Sequence, residues 1–219
     1  MFIAITVVIA YLLGAIPFAL LVGRLAGVKD LREVGSGNLG ATNVWRAAGA
    51  GAGLAVLAAD TAKGVVAVLI ARLLLTRAEA MPVSLDVALV LVGLAAVLGH
   101  VFPVYLRFKG GKGAATGLGV MVMLLPLPTV AALVVFVVIV ILWRYVSLAS
   151  MCAALALFAA VVGQKLLLRH KVADIYFFMT LILALVIIVT HRQNISRLLK
   201  GAENRFSFSS RSSEAGSHV

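Results

Sequence analysis

Residues 114–143, AATGLGVMVMLLPLPTVAALVVFVVIVILW, run for thirty residues without a charge. At ~1.5 Å per residue a straight helix of that length would reach about 45 Å, well past the ~30 Å of hydrocarbon in a bilayer. Pro126-Leu127-Pro128 interrupts the run, and proline ends or kinks a helix by removing a donor and clashing with the preceding turn. Two short helices joined at the prolines are therefore expected; a single kinked span is the alternative. On either side lie further apolar runs at 2–23, 53–75, 84–106, 146–168 and 172–190. Most match the ~20 residues that cross a membrane as a helix. The expected fold is an all-α, polytopic membrane helix bundle of about seven transmembrane helices, or six with a kinked fourth.

Composition agrees. Of 219 residues, 63% are hydrophobic and 12% charged, whereas soluble domains run near half apolar and a quarter charged. This length allows one bundle, read as a single domain over 1–205, with no separate soluble catalytic domain. Any chemistry must then come from loops and helix ends. Residues 206–219 are serine-rich and lack apolar periodicity, so they are read as a disordered tail. Residues 1–23 are too long and too weakly basic at the start for a cleaved signal peptide and read as a retained first helix. The single Cys152 lies in an apolar stretch, which leaves neither a disulfide framework nor a cysteine metal site.

The net charge of +11 raises the question of nucleic acid, but lysine and arginine gather in short loops beside apolar spans, as the positive-inside rule expects. With seven spans, thirteen basic residues fall on the side of the C-terminus and five (Arg72, Arg77, Lys165, Arg169, Lys171) on the other. That asymmetry predicts the N-terminus outside and the C-terminus in the cytoplasm. The run Arg169-His170-Lys171 fits this orientation least well.

Three polar clusters break the apolar pattern, all on the expected cytoplasmic face. The first is Gly35-Ser36-Gly37-Asn38-Leu39-Gly40-Ala41-Thr42-Asn43, with Arg46 one helical turn beyond. Its G-x-G-x-x-G spacing is not a dinucleotide fingerprint, because no strand precedes it and no βαβ unit surrounds it. Small residues still let backbone N–H groups converge on an anion at a helix N-terminus. The competing reading is a plain interhelical turn, which does not need a serine, two asparagines and an arginine.

The second cluster runs from His100 to Arg107-Phe108-Lys109-Gly110-Gly111-Lys112-Gly113. It is not a Walker A loop, since Lys112 is followed by glycine, yet a glycine-flanked lysine at a helix N-terminus makes a phosphate cradle. Lipid-headgroup anchoring would explain its charges but not its glycines. The third cluster, His191 to Glu203, sets His191 and Asn194 on one helix face, with Ile195, Leu198 and Leu199 as an apolar stripe at the interface. A stop-transfer basic flank explains it equally well. Finally, Asp60 and Lys63 interrupt an apolar span three residues apart. Charges there cost about 2.5–3.5 kcal/mol each on insertion scales, so a self-neutralising pair that supports the site from below is expected.

At these residues the chain resembles the bacterial acyl-phosphate:glycerol-3-phosphate acyltransferase family of small multi-spanning enzymes. The resemblance covers about residues 5–206. It rests on Gly35–Asn43, Asp60-Thr-Ala-Lys-Gly64, Gly99-His-Val-Phe-Pro-Val104 with Phe108–Gly113, Tyr145-Val-Ser-Leu-Ala-Ser150, and His191-Arg-Gln-Asn-Ile195 with Arg197-Leu-Leu. It implies acyl transfer from acyl phosphate to the 1-hydroxyl of glycerol 3-phosphate, giving lysophosphatidic acid and phosphate, the first step of bacterial phospholipid synthesis at the inner membrane. Ser36, Lys112, His191 and Asn194 are the implied catalytic set, with Arg46 as a substrate ligand.

Neighbouring Gly37, Asn38, Gly40, Thr42, Asn43, Lys109, Gly110, Gly111 and Gly113 are further candidates for substrate contact, and Asp60, Lys63 and His100 for support. Acyl phosphate is already activated, so no cofactor, nucleotide or metal is expected. The expected partners are the two substrates and membrane lipid, not nucleic acid, with the protein acting as a monomer. A transporter or channel for a phosphorylated anion is the alternative. One-sided polar clusters and the lack of an internal repeat argue against it.

Overall fold

The structure, a computed structural model, describes residues 2–77, 82–166 and 173–207. Every regular element among them is helical: α1 (Phe2–Ala15), α2 (Phe18–Leu25), α3 (Ala41–Leu75), α4 (Leu85–Val101), a 3₁₀ turn (Val104–Leu106), α5 (Ala114–Leu124), α6 (Pro126–Trp143), α7 (Val146–Leu166), α8 (Asp174–Thr190) and α9 (Arg192–Leu199). The division at the prolines is as expected from sequence: α5 stops at Leu124 and Pro126 opens α6 at its first turn, where its missing N–H costs nothing.

Three other breaks have local causes. Pro17 separates α1 from α2 inside the first apolar run. Gly49, at φ 85°, kinks α3 and sets its first eight residues apart as a short helix over the site. His191 divides α8 from α9, which bend by 59°.

Five segments are long and apolar enough to cross a membrane: Phe2–Leu25, Ala41–Leu75, Leu85–Leu106, Pro126–Trp143 and Val146–Leu166. The bent pair α8–α9 makes a sixth if counted as one span. Helix α5 has 11 residues, about 16 Å, or roughly half the hydrocarbon thickness. It is buried rather than lipid-facing, and Arg72 Nη2 at the end of α3 donates to the Met123 carbonyl (3.0 Å), satisfying one of its exposed C-terminal acceptors. The run Arg169-His170-Lys171 lies outside the described residues.

Helix α1 packs on α4, α3 on α5, α6 on α7, and α7 on α8. The α3–α5 contact is backbone to backbone: a Cβ on Gly64 would overlap the Thr116 carbonyl, and one on Gly119 the Thr61 carbonyl. Small residues bring helices this close in membranes, where dispersion must replace the hydrophobic effect. Val68, Val92, Val120, Met121 and Met179 form the centre of the core. By contrast α6 leans on α7 and packs little against α3. A cleft therefore opens between α3 and α6, with half-exposed Leu57 and Val137 on its two sides and α5 at its back.

One boundary needs correction. Phe206 is not tail: its N–H donates to the Arg144 carbonyl (2.6 Å) and its ring lies 4.9 Å from Trp45. Composition cannot reveal that contact, because the partner lies 161 positions back in the chain. Residues 208–219 of the expected tail lie outside the described residues.

Candidate functional site

The loops at one end of the bundle meet over a cavity of about 400 Å³. Its polar end is bordered by Ser36, Asn38, Gly40, Thr42, Asn43, Arg46, Lys112, Gly113, His191 and Asn194, so residues 158 positions apart converge there. It continues between the helices into a largely apolar part bordered by Leu118, Met121, Leu133, Phe136, Leu157 and Leu183.

Each polar residue is held by an identifiable local structure. Asn43, 1% exposed, organises the Ser36 loop: its Nδ2 donates to the Leu31 and Val34 carbonyls (3.0 Å each), and its Oδ1 accepts from Ser36 N (2.9 Å) and Oγ (3.3 Å). Gly35 is required here twice over. Its φ of 61° is left-handed, and a Cβ would overlap Asn43 Oδ1. Asn43 is thus a buried scaffold for Ser36, and its amide is fully used.

Lys112 lies between the glycines and the start of α5. Thr190 Oγ1 donates to the Lys112 carbonyl (3.1 Å), tying the loop to α8, and Lys112 Nζ donates to Asn194 Oδ1. Burial pushes the Lys112 ammonium down to about 8; Glu203 counters this, while Arg197 and Arg46 add to it. His191 sits in the α8–α9 break, 3% exposed, with Nδ1 2.7 Å from the Ile187 carbonyl. A carbonyl only accepts, so Nδ1 carries the proton and Nε2 is a bare acceptor.

Glu203 escaped the sequence reading as a site residue. Its Oε1 accepts from Ser147 Oγ (2.8 Å) and Asn194 Nδ2 (2.6 Å), and its Oε2 from Arg197 Nε (2.7 Å). Burial raises its pKa, but these three donors outweigh that and hold it below the usual carboxylate range. Glu203 therefore fastens the chain after α9 to α7 and orients Asn194, which in turn meets Lys112. The next residue, Asn204, accepts from Arg46 Nη2 through its carbonyl (3.2 Å). A signal for Glu203 did exist: it is the one acid between Asp174 and Glu214, in a stretch otherwise basic.

Not every candidate borders the cavity. Lys109 is exposed and, like Gly37, lies off it. Gly110, Gly111 and Lys63 instead border a second, smaller cavity. Asp60 and His100 border both. Among the described residues no group of three or more His, Cys, Asp or Glu side chains is placed to hold a metal ion.

A helical bundle with several membrane-length spans, a cationic pocket at one end and an apolar cleft leading from it defines an integral-membrane protein. The chain belongs to the glycerol-3-phosphate acyltransferase family, whose model matches residues 4–201. Relatives of that name include one from Geobacter sulfurreducens, 47% identical over 90% of this chain and 94% of its own length. Another, from Syntrophotalea carbinolica, is 45% identical over the same shares. Two crystal structures of PlsY, described as an integral membrane glycerol 3-phosphate acyltransferase, superpose closely. The glycerol 3-phosphate form gives a TM-score of 0.81 at 40% identity, covering 94% of this chain and 96% of that one. The lysophosphatidic acid form gives 0.79 at 38%, covering 94% and 95%.

Proposed function

We propose that the protein transfers a fatty acyl group from acyl phosphate to the 1-hydroxyl of glycerol 3-phosphate, releasing 1-acyl-glycerol 3-phosphate and inorganic phosphate. The observation that carries this is the continuity of one cavity from the Ser36–Arg46–Lys112 cationic end into the apolar cleft. An amphiphile with a phosphate head and an acyl tail fits both parts at once, and a second phosphate compound fits beside the head. The relatives' shared name supports glycerol 3-phosphate as the acceptor.

In this reading the Ser36 loop and Lys112 hold the acyl phosphate, and Arg46 binds the phosphate of glycerol 3-phosphate. His191 and Asn194 align the glycerol. The 1-hydroxyl oxygen attacks the acyl carbonyl carbon, the bond from that carbon to the phosphate oxygen breaks, and the hydroxyl proton passes to Nε2 of His191. Lys112 and the N-terminal end of α3, which follows the Ser36 loop, stabilise the charge developing on the departing phosphate. Transfer is direct. The Nδ1 of His191 is matched to a backbone carbonyl and Glu203 to other donors, so no carboxylate pairs with His191 to activate Ser36 as a nucleophile. Arg46 exchanges its hydrogen bond to the Asn204 carbonyl for the substrate phosphate.

The site end faces the cytoplasm, the N-terminus lies outside, and the protein sits in the bacterial inner membrane with α5 counted as a short seventh helix. The concentration of basic residues at the site end supports this orientation. One chain supplies every site residue, which supports a monomer as the working unit. Donor identity is tested with purified protein in bilayers, given labelled glycerol 3-phosphate and either acyl phosphate or the matching acyl thioester. Acylated product is expected only with acyl phosphate; equal product from the thioester would remove the donor assignment.

A further inference from the structure

Asp60 and Lys63 form a buried pair, 2% and 5% exposed, with 2.9 Å between Oδ1 and Nζ. Their other contacts point in different directions. Lys63 Nζ donates to the Ile16 carbonyl (3.1 Å) and lies 5.9 Å from the centre of the Phe18 ring, so it grips the break between α1 and α2 from both sides. The same Asp60 Oδ1 also lies 3.6 Å from Nδ1 of His100, so one carboxylate oxygen stands between Lys63 and the imidazole.

His100 in turn supports the Lys112 loop. Its carbonyl accepts from Gly111 N (3.1 Å), and the Val101 carbonyl accepts from Gly110 N (3.1 Å). The imidazole abuts Gly111: a Cβ there would overlap both His100 Nε2 and the Leu39 carbonyl oxygen. Leu39 belongs to the Ser36 loop. Gly111 is therefore the point where the two anion loops touch, and the His100 ring is the surface against which the Lys112 loop is seated.

We propose that Asp60 and His100 are positioning residues that set the spacing between the Ser36 loop and Lys112, whereas Lys63 serves the helix break and not the loops. The Asp60 carboxylate orients the imidazole, the imidazole fixes Gly111, and Gly111 fixes the approach of Lys112 to Ser36. Neither Asp60 nor His100 touches the reacting atoms. This inference rests on the acyl-phosphate reading for its kinetic test, and its binding test stands apart from that reading.

The test compares Asp60→Asn, His100→Asn, His100→Gln and Lys63→Gln with wild type, each in the full-length protein. Phosphate release gives kcat and KM, and titration with inorganic phosphate gives anion affinity independently of turnover. Asp60→Asn and His100→Gln are expected to raise KM and weaken phosphate binding tenfold or more. His100→Asn, which returns an N–H near the Nδ1 position, recovers part of that loss. Lys63→Gln is expected to lower the melting temperature while folded protein keeps phosphate affinity within threefold of wild type. If Asp60→Asn fails to fold, the contrast between the two His100 variants decides alone. Affinities within twofold of wild type for Asp60→Asn and His100→Gln, or equal losses in all four variants, would overturn the proposal. No turnover by wild type that still binds phosphate would count against the acyl-transfer reading and leave the binding comparison to judge this one.

Discussion

Lys112 illustrates how burial and function meet at one side chain. Its ammonium is held down to about 8 chiefly by burial, among Arg46 and Arg197. Because the folded value lies below the ordinary lysine value, the unfolded chain binds the proton more tightly. Stability of the free protein therefore rises with pH between about 8 and the unfolded value, and burying the charged form is a constant cost below about 8. Function runs the opposite way, since only the ammonium attracts phosphate. The free enzyme's kcat/KM is expected to fall tenfold per pH unit above about 8, and Lys112→Arg should abolish that limb because guanidinium does not titrate there. An unchanged limb in Lys112→Arg would assign it to another group. Glu203 presents the complementary case. Glu203→Gln replaces an acceptor of three hydrogen bonds with a side chain that can match only some of them, two of the donors being Arg197 and Asn194. Charge-assisted bonds of this kind contribute about 1.5–3 kcal/mol each, so a lower melting temperature is expected together with reduced activity.

At the level of elements, the sequence was most informative where physics is local. Pro126 and Pro128 placed the α5–α6 division, and Ser36, Gly40, Lys112 and Gly113 of the two glycine loops border the cavity. What stayed hidden was set by tertiary contact. The return of Glu203 to Ser147 and the packing of Phe206 against Trp45 both depend on partners far away in the chain. Lys109 and Lys112 also looked alike as loop lysines. The turn after Leu106, with Arg107 and Phe108 both at positive φ, leaves Lys109 exposed while Lys112 enters the cavity. Gly110 and Gly111 are required for closeness, whereas Gly113 is required for its left-handed φ of 85°. Gly111→Ala is expected to separate the two anion loops and lower kcat/KM at least a hundredfold, as anion affinity and alignment fail together. Near-normal kinetics in folded Gly111→Ala protein would show that the loops do not need to touch.

For the whole molecule, the informative feature is the asymmetry of packing. The α1–α4 and α3–α5 pairs form a tight body, whereas the α6–α7 hairpin leaves a side cleft toward α3. In the proposed reaction such an opening admits the lipid-soluble donor sideways while the water-soluble acceptor arrives from the loop end. Narrowing it with Leu57→Trp and Val137→Trp together should slow turnover of long-chain acyl phosphate more than tenfold and leave a short-chain donor within threefold. Equal slowing for both donors would place entry elsewhere. In the proposed reaction this cavity joins two phosphate compounds and separates them as ester and free phosphate. The most direct test of that reaction measures inorganic phosphate and 1-acyl-glycerol 3-phosphate together, in bilayers containing wild type, Lys112→Ala or His191→Ala protein. One phosphate released per acylated product is expected for wild type, and losses of at least a hundredfold in both variants. Phosphate release without matching acylated product, or full activity in either variant, would contradict the proposed reaction.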